Sequence, residues 1–336
     1  GGTSVGSAQR MKEVAKLITD GERKIVVLSA MSGTTNTLVE ISDYLYKKNP
    51  EGANEIINKL ESKYRQHIDE LFATPEYKQK GLELIKSHFD YIRSYTKDLF
   101  TLFEEKVVLA QGELISTAMM NYYLQECGVK SVLLPALEYM RTDKNAEPDP
   151  VYIKDKLQVQ LELHPDAEIY ITQGYICRNA YGEIDNLQRG GSDYTASLIG
   201  AAINASEIQI WTDIDGMHNN DPRIVDKTAP VRHLHFEEAA ELAYFGAKIL
   251  HPTCIQPAKY ANIPVRLLNT MDPTAPGTLI SNDTEKGKIK AVAAKDNITA
   301  IKIKSSRMLL AHGFLRKVFE IFESYQTSID MICTSE

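Results

Sequence analysis

Four short runs of apolar, largely β-branched residues are spaced along the chain, and each ends in polar or glycine residues. They are KIVVLSA at 24–30, EIYITQG at 168–174, EIQIWTD at 207–213 and IPVRLLN at 263–269. Such continuous runs are typical of strands buried on both faces of a parallel sheet. Between them, helical spacing governs GELISTAMMNYYLQEC, SDYTASLIGAAINA and FEEAAELAYFGAKIL. Strand and helix alternate, which predicts an α/β fold with a doubly wound, mainly parallel sheet sandwiched by helices.

Two segments depart from this alternation. Residues 37–106 are charged and helix-forming, with few strand candidates, and predict a helical insertion that forms a lid or lobe. A polar, lysine-rich stretch near residue 286 is typical of a linker. Beyond it, ITAIKIKSS alternates with period two, AHGFLRKVFEIFESYQ is amphipathic at helical spacing, and SIDMICTSE alternates again. We therefore predict a main domain at 1–285, a linker at 286–297 and a β-α-β unit at 298–336.

Composition narrows the class of partner. The chain has 336 residues, 43% of them hydrophobic and 25% charged, with a formal net charge of -7. That balance lacks the basic footprint of nucleic-acid binding, and no apolar run approaches the ~18 residues of a membrane span. The four cysteines contain no CxxC pair, so neither a zinc site nor a disulfide framework is predicted. We expect a cytoplasmic protein that acts on a small molecule.

Glycine and hydroxyl residues cluster after the amino terminus and after the first predicted strand. GGTSVG at 1–6 precedes a helical pattern, an arrangement that suits an anion, although a purely structural turn explains it equally well. In SAMSGTTN, the hydroxyls of Ser29, Thr34 and Thr35 can bind a carboxylate or phosphate, while helix capping alone accounts for one or two of them. Glu113 in QGELIS is placed at a helix start, where the helix dipole alone would favour an acid.

The stretch QRGGSDYTA is more specific, because a charged side chain and a flexible turn adjoin a helix start. Arg189 can hold a carboxylate through two hydrogen bonds, Gly190 and Gly191 open the backbone, Ser192 can cap the helix, and Asp193 can attract a cation. The pattern favours a charged substrate beside a phosphate. The alternative is an arginine–aspartate ion pair on the surface of a capped helix.

Two later motifs suit a nucleotide. WTDIDGMHNNDPR at 211–223 follows a predicted strand and can wall a nucleotide and reach Mg²⁺ indirectly, although Trp211 can equally pack in the core. In FGAKILHP, Lys248 lies near a predicted helix end, where it can satisfy terminal carbonyls or reach a polyphosphate as a point charge. No HExxH pattern and no ordered nucleophile, histidine and acid are found in the sequence.

In order along the chain, GGTSVG, SAMSGTTN, QGELIS, TQGY, QRGGSDYTA, WTDIDG, NNDPR and FGAKILHP resemble the motifs of the aspartate kinases of the amino-acid kinase superfamily. The tail is similar to the first half of the ACT regulatory region of the lysine-sensitive, single-function class. The resemblance implies a carbamate-kinase-like fold and transfer of phosphate from ATP, with Mg²⁺, to the β-carboxylate of L-aspartate. It also implies feedback inhibition, most simply by lysine, and a homodimer or higher assembly through ACT regions.

The resemblance assigns a role to individual residues. In the acceptor aspartate, the α-carboxylate is expected to contact Arg189 and the ammonium group Glu113, while Ser29 and Thr35 orient the molecule and Tyr175 lines the pocket. The phosphoryl group is expected to face Gly2, Ser4, Gly190, Gly191 and Ser192, with Asp193 positioning cationic groups around the phosphates. The nucleotide is expected to contact Thr212, Asp213, Asp221, Arg223 and Lys248, with no metal bound directly by the protein. An effector amino acid is expected at Met308, Gly313, Phe314, Leu315, Ser328 and Asp330.

The sequence departs from the family pattern at three places. The family motif has Lys-Phe just before GGTSV, so its phosphate-neutralising lysine is expected upstream of Gly1. Gln188 replaces a glycine that usually precedes the arginine, and His218 stands where a tyrosine is common in the nucleotide loop.

Two other functions remain open on sequence alone. One is a related kinase that acts on another acid, such as glutamate or N-acetylglutamate, because Glu113 and Arg189 favour a free amino acid without measuring its length. The other is a non-catalytic amino-acid sensor that retains the kinase fold. Turnover separates the sensor from the enzymes, and the accepted acid separates the two enzymes.

Overall fold

The computed structural model describes residues 1–97, 99–188, 190–247, 250–283, 288–305 and 312–334. The chain divides into an N-terminal unit, Gly1–Ala294, and a C-terminal unit, Lys295–Glu336. The helices are α1 (Ala8–Ile18), α2 (Thr34–Tyr46), α3 (Pro50–Leu71), α4 (Pro75–Ser94), α5 (Leu102–Glu126), α6 (Ala136–Tyr139), α7 (Pro150–Glu162), α8 (Gly191–Ile203), α9 (Phe236–Tyr244), α10 (Pro252–Ala261) and α11 (Phe314–Ser324). The strands are β1 (Lys24–Leu28), β2 (Ser131–Leu134), β3 (Ile169–Gln173), β4 (Ile176–Arg178), β5 (Ile184–Asn186), β6 (Ile208–Thr212), β7 (Met217–His218), β8 (Pro230–Val231), β9 (His233–His235), β10 (Val265–Asn269) and β11 (Thr278–Ser281).

The four predicted strands are β1, β3, β6 and β10, and they pair in parallel as expected. One sheet has the order β1–β3–β2 with every pair parallel, and the other has the order β6–β10–β11–β9 with only β10 and β11 antiparallel. Besides these two larger sheets, β4 pairs with β5 and β7 pairs with β8 in antiparallel two-stranded sheets. Helices directly follow β1, β2, β5 and β9, and all but one of the pairings within the two larger sheets are parallel, so the predicted mainly parallel α/β fold is confirmed.

The segment predicted to be helical is built from α2, α3, α4 and the first turn of α5. Asn49 and Thr74 precede prolines that open α3 and α4, and Thr101 forms a capping box with Glu104 at the start of α5. Fully buried Ile57, Tyr64 and Phe89 place these helices in the same hydrophobic cluster as α1, β1 and β3. Helix-forming sequence and an apolar stripe thus agree with the packing.

Glu61 joins α3 to α4 by ion pairs. Its carboxylate accepts hydrogen bonds from Arg65 on its own helix, at 2.8 Å, and from Arg93 on α4, while its side chain is only 10% exposed. Burial alone would raise the pKa of Glu61, but the two guanidinium groups hold it below its usual value. The stabilisation is therefore present above the pKa of the unfolded chain and is lost as the pH falls.

We expect Glu61→Ala to lower the free energy of unfolding by about 2 kcal/mol, since it leaves two partly buried guanidinium groups without their shared acceptor. Chemical denaturation at neutral pH measures this change. Glu55→Ala is the matched control, because Glu55 pairs with Lys59 on the same helix and both side chains are well exposed. Equal stability of the two variants would show that the α3–α4 ion pairs contribute nothing.

Two predicted helix boundaries are wrong. Glu113 does not start a helix: it lies in the middle of α5, which begins upstream because Thr101 supplies its cap. The pattern FEEAAELAYFGAKIL predicted one helix to residue 250, but α9 ends at Tyr244. Gly246 adopts φ 115°, and the Ala247 N–H donates to the Leu242 carbonyl, which closes the helix end.

In the C-terminal unit, the central helix is confirmed as α11, which Gly313 precedes with φ 82°. The two flanking strands are not formed: residues 298–305 and 327–334 hold no strand. Their alternating apolar side chains are exposed, Ile301 by 62% and Met331 by 68%. A period-two pattern becomes a strand only when a neighbouring strand accepts its backbone hydrogen bonds, and this unit shows no such pairing in its described residues.

Among the described residues, no helix combines the length and apolar character that crossing a membrane requires.

Candidate active site

A cleft of about 420 Å³ opens beyond the carboxyl ends of β1 and β3. Ligands of α/β folds bind at such an edge, because the loops that leave the strands carry the variable chemistry. The cleft is lined by residues from the motifs GGTSVG, SAMSGTTN, TQGY and QRGGSDYTA and from α5. They are Gly2, Thr3, Ser29, Ala30, Met31, Ser32, Gly33, Thr35, Asn36, Glu113, Tyr175, Gly191 and Ser192.

Two helices begin at this cleft without a side-chain cap. Gly33 precedes α2 with φ 81°, and Gly190 precedes α8 with φ 92°; neither helix start has a capping hydrogen bond from a side chain within the described residues. Left-handed backbone at both positions favours glycine. The first-turn residues Thr35, Gly191 and Ser192 face the cleft. The uncapped N–H groups and the positive ends of two helix dipoles therefore make this region attractive to anions.

Glu113 supplies the opposite charge. Its side chain lines the cleft, although the residue is only 3% exposed. One carboxylate oxygen, Oε1, accepts the Ala30 N–H at 3.3 Å, while Oε2 has no hydrogen-bond partner in the part of the chain that the structure describes. Burial raises the pKa of Glu113 to about 7. A buried acid with one open oxygen is suited to receive a cation, and a bound cation would keep it ionised.

Hydrogen bonds tie the strand ends of the cleft to α8. The Ser29 hydroxyl donates to the Ser192 hydroxyl at 2.8 Å, and the Ser29 carbonyl accepts the Ser116 hydroxyl of α5 at 2.7 Å. Gly174 lies so close to Ser192 that a Cβ at position 174 would be 2.8 Å from the Ser192 Cα and closer still to its side chain. The end of β3 and the first turn of α8 are therefore in direct backbone contact.

Tyr175 occupies a strained position at the wall of the cleft. Its φ is 69°, a conformation that is rare for an aromatic residue. The Tyr175 N–H donates to the Thr195 hydroxyl at 3.0 Å, and its carbonyl accepts the Leu187 N–H at 2.8 Å. Burial, together with the nearby Glu113, raises the pKa of Tyr175 to about 12, so its hydroxyl stays protonated as a donor. Strain held by surrounding hydrogen bonds is common at functional sites.

Of the residues assigned to the phosphoryl group, Gly2, Gly191 and Ser192 line the cleft. Ser4 does not: its buried hydroxyl shares a hydrogen bond with the Thr270 hydroxyl at 3.1 Å. Gly190 precedes these residues and packs against Cys254 of α10, and burial raises the pKa of Asp193 in the first turn of α8. Arg189, assigned to the substrate carboxylate, lies outside the described residues.

Four of the residues assigned to the nucleotide, Thr212, Asp213, Asp221 and Arg223, lie at the end of β6 or follow it in the chain. Thr212 ends that strand, Asp213 is exposed, and Arg223 donates from Nε to the Asp221 carboxylate at 2.9 Å. None of these four lines the cleft. A chain of contacts connects the two regions, because the Thr270 hydroxyl that meets Ser4 also donates to the Thr212 carbonyl at 2.9 Å. Lys248 lies outside the described residues.

Sequence reasoning misplaced one hydroxyl and missed several lining residues. Thr34 is buried and shares a 2.7 Å hydrogen bond with the Tyr64 hydroxyl, so it faces the core instead of the cleft. The unpredicted lining residues are Thr3, Ala30, Met31, Ser32, Gly33 and Asn36. All of them belong to the motifs GGTSVG and SAMSGTTN, so the motif was the available signal and only the choice of side chains within it was incomplete.

Two further predictions concern metal and effector. The described ranges contain no group of three or more His, Cys, Asp or Glu side chains placed to hold a metal ion. In the C-terminal unit, Gly313, Phe314 and Leu315 form the start of α11, Asp330 pairs with Lys295 at 3.0 Å, and Ser328 lies in an irregular segment. Met308 lies outside the described residues. The effector assignment stays a prediction.

Comparison with known proteins gives one consistent family. The profile of the amino acid kinase family matches residues 1–269. The chain is 38% identical to aspartokinase 1, chloroplastic, of Arabidopsis thaliana over 348 residues, covering all of this chain and 61% of the relative. It is 34% identical to the lysine-sensitive aspartokinase 3 of Escherichia coli (strain K12), covering all of this chain and 75% of that protein. It thus spans less than two thirds of the Arabidopsis relative.

Solved structures give the same grouping. The crystal structure of E. coli aspartokinase III in complex with aspartate and ADP superposes with a TM-score of 0.83 at 32% identity, covering all of this chain and 75% of that one. A second structure of the E. coli protein, in complex with lysine and aspartate, gives a TM-score of 0.78 at 31% identity, with 76% of its chain covered. With the matched family profile, the shared fold and identities above 30%, this chain belongs to the amino acid kinase family and, within it, to the aspartokinases.

Proposed function

We propose that the protein transfers the γ-phosphoryl group of ATP to the β-carboxylate of L-aspartate, which yields 4-phospho-L-aspartate. One observation carries this proposal: the cleft combines two uncapped helix starts, at Gly33 and Gly190, with the buried carboxylate of Glu113. An aspartate zwitterion has the complementary charges, two carboxylates and one ammonium. Helix starts that attract anions, together with one site for a cation, therefore suit the charges of the acceptor and of the transferring phosphoryl group.

The residues of the cleft divide the acceptor between them. Glu113 takes the ammonium group through its open Oε2, and Ser29 and Thr35 orient the amino acid from the β1 side. Tyr175 walls the cleft with a protonated hydroxyl, and Arg189 holds the α-carboxylate. The β-carboxylate then lies against the first turn of α8, at Gly191 and Ser192.

Phosphoryl transfer to a carboxylate depends on the positions of the reacting groups and not on proton transfer. A carboxylate is ionised at neutral pH, so no general base has to activate it. One of its oxygens attacks the γ-phosphorus, a bond forms there, and the bond from that phosphorus to the β,γ-bridging oxygen breaks, so that ADP leaves. The backbone amides of Gly2, Gly191 and Ser192 stabilise the phosphoryl oxygens as charge spreads over them.

The nucleotide lies beyond β6, against Thr212, Asp213, Asp221, Arg223 and Lys248. Asp193 fits a neighbouring cation, because burial raises its pKa and a positive charge would offset that burial. Mg²⁺ supplies charge neutralisation on the phosphates when it accompanies ATP.

The similar E. coli structures support the same acceptor, since one is described as a complex with aspartate and ADP and the other as a complex with lysine and aspartate. We extend the proposal to feedback inhibition by lysine at the start of α11, and to assembly into a homodimer or larger oligomer. The reaction would open the synthesis of lysine, threonine and methionine. A cytoplasmic location remains a prediction.

Hydroxylamine trapping tests the reaction directly, because it converts an acyl phosphate into a stable hydroxamate. Full-length protein with Mg-ATP is expected to give product from aspartate and none from glutamate or N-acetylglutamate, since one extra methylene moves the reacting carboxylate away from the turn at Gly191. Product from one of the other acids alone would reassign the substrate. No product from any acid, with ATP and aspartate both bound, would favour the sensor.

A further inference from the structure

An arginine and an aspartate form a closed hydrogen-bonded network just beyond β6. Both terminal guanidinium nitrogens of Arg232 donate to the carboxylate of Asp215, Nη1 to Oδ1 at 2.9 Å and Nη2 to Oδ2 at 3.0 Å. Arg232 Nη1 also donates to the Gly277 carbonyl at 3.0 Å, and the Gly277 N–H donates to Asp215 Oδ1 at 3.1 Å. We call these three residues the Asp215–Arg232 clamp. Paired, two-point bonds fix the orientation of both groups as well as their distance.

The clamp joins three segments that are distant in sequence. Asp215 belongs to the turn after β6, Arg232 lies between β8 and β9, and Gly277 precedes β11. Neighbouring backbone contacts reinforce the junction, since the Met217 N–H donates to the Thr278 hydroxyl at 2.8 Å and the Leu279 N–H donates to the Arg232 carbonyl at 2.9 Å. Gly277 has φ 67°, and a side chain there would collide with the Leu267 carbonyl of β10. The turn after β6 is therefore held on several sides.

This turn is the one that the proposed function assigns to the nucleotide. Thr212 and Asp213 precede Asp215 by three and two positions, and Asp213 itself is exposed with its side chain available to a ligand. The pKa of Asp215 is lowered mainly by its hydrogen bonds to Arg232, so the carboxylate stays ionised across the neutral range. The carboxylate of Asp215 is therefore engaged by Arg232 and stabilises the turn, whereas the exposed Asp213 is the residue assigned to the nucleotide.

We propose that Asp215 and Arg232 are positioning residues for nucleotide binding: the clamp sets the conformation of the turn at 213–216 and thereby the affinity for ATP and ADP, without contact to the acceptor. The inference rests on the proposed function only in that it places the nucleotide beyond β6. Arg232 belongs to none of the motifs identified in the sequence, so the sequence alone gave it no role.

The same sheet offers a matched control at the opposite end of its strands. Arg266 on β10 pairs with Glu207, which immediately precedes β6, at 3.0 Å and 3.3 Å. The exposed fractions are almost equal: 38% and 26% for Arg232 and Asp215, 32% and 26% for Arg266 and Glu207. The two pairs are thus alike in exposure and differ in position, because one lies beyond the carboxyl end of β6 and the other at its amino end; only the first is also bonded to Gly277.

The experiment titrates full-length wild-type protein, Arg232→Ala, Arg232→Lys and Arg266→Ala with Mg-ADP by isothermal calorimetry, and records the melting temperature of each. We expect the Kd of Arg232→Ala to rise about fivefold, as for the loss of one partly exposed ion pair, and that of Arg266→Ala to stay at the wild-type value. Arg232→Lys should fall between, because lysine keeps the charge without the two-point geometry. In steady state the KM for ATP should rise in Arg232→Ala while the KM for aspartate stays unchanged.

Each outcome decides the matter. Equal Kd values for Arg232→Ala and the wild type, or equal losses in Arg232→Ala and Arg266→Ala, would reduce the clamp to a stabilising contact and overturn the inference. Because the titration uses neither aspartate nor turnover, an enzyme that binds ADP without phosphorylating aspartate would contradict the proposed function alone. Wild-type protein that fails to bind ADP would overturn both.

Discussion

Glu113→Gln is expected to lower kcat/KM for aspartate by roughly 100-fold while leaving the melting temperature at neutral pH unchanged or higher. The reason is that glutamine keeps the shape of Glu113 and its contact with Ala30 but cannot neutralise an ammonium group, and losing one partner of a buried charge pair costs several kcal/mol of affinity. Burial penalises the ionised carboxylate, so removing that charge does not weaken the fold. Steady-state kinetics with varied aspartate, together with thermal melts, measures both effects.

The pH dependence of the same site follows from the raised pKa. In the free enzyme the pKa of Glu113 is about 7, so the carboxylate is protonated on the acid side and ionises as the pH rises. We expect kcat/KM for aspartate to increase through this region in the wild type, since that parameter reports ionisations of the free enzyme. The carboxyl groups of aspartate titrate well below this range, but a terminal phosphate of ATP does not.

Glu113→Gln separates these two sources of pH dependence. A rise that comes from Glu113 disappears in the variant, whereas a rise that comes from ATP persists in it. Nucleotide affinity serves as the internal control and should match the wild type, because the proposed function places Glu113 beside the acceptor and the nucleotide beyond β6. A variant that keeps the wild-type KM for aspartate and the same acid limb would disprove the assignment of the ammonium group to Glu113.

Gly174→Ala is expected to reduce kcat by roughly 100-fold, the scale of a 1 Å displacement of reacting groups. The added methyl group would meet both the side chain and the Cα of Ser192, and the contact with the Cα, at 2.8 Å, cannot be relieved by a rotamer change. The first turn of α8 must therefore move away from β3, and the hydrogen bond between Ser29 and Ser192 is lost with it. Single-turnover measurements of acyl phosphate formation detect this loss even when binding of aspartate changes little.

Gly200→Ala provides the control in the same helix. Its added methyl group would meet only the side chain of Ile208, in the core at the far end of α8. This variant should melt at a lower temperature and yet keep nearly wild-type kcat, since the cleft end of α8 stays in place. Parallel losses of kcat in the two variants would mean that α8 responds as a whole and that the contact at Gly174 has no special role.

The sequence predicted the parts of the fold whose pattern is local. KIVVL and IPVRLLN carry their own strand signal, and the charged, helix-forming composition of the 37–106 segment, with few strand candidates, predicted its helices. Prediction from the sequence failed where an element forms only through contact with another segment of the chain. ITAIKIKSS has the alternation of a strand and forms none, because a strand exists only when another strand accepts its hydrogen bonds. The end of α9 was misjudged for a related reason, since its apolar pattern runs past Gly246, where the backbone turns.

The candidate site shows the same division. Motifs in the sequence located the glycine turns at Gly2 and Gly190, and the resemblance to aspartate kinases suggested Glu113 as a ligand for ammonium. The residue types alone favoured a helix-dipole role for Glu113, and this was wrong because the residue lies in the middle of α5. Its burial, its open oxygen and its raised pKa follow from the packing of α5 against β1, which no local pattern reports.

What the sequence by itself determined was the class of fold, the order of the motifs and the family, because these depend on residue types and their spacing along the chain. Tertiary structure alone decided which side chains share the cleft, that Thr34 faces Tyr64 while Thr35 lines the cleft, and that Arg232 closes a clamp on Asp215. Hydrogen-bond partners and burial are properties of residues brought together from distant positions, and a one-dimensional pattern does not contain those distances.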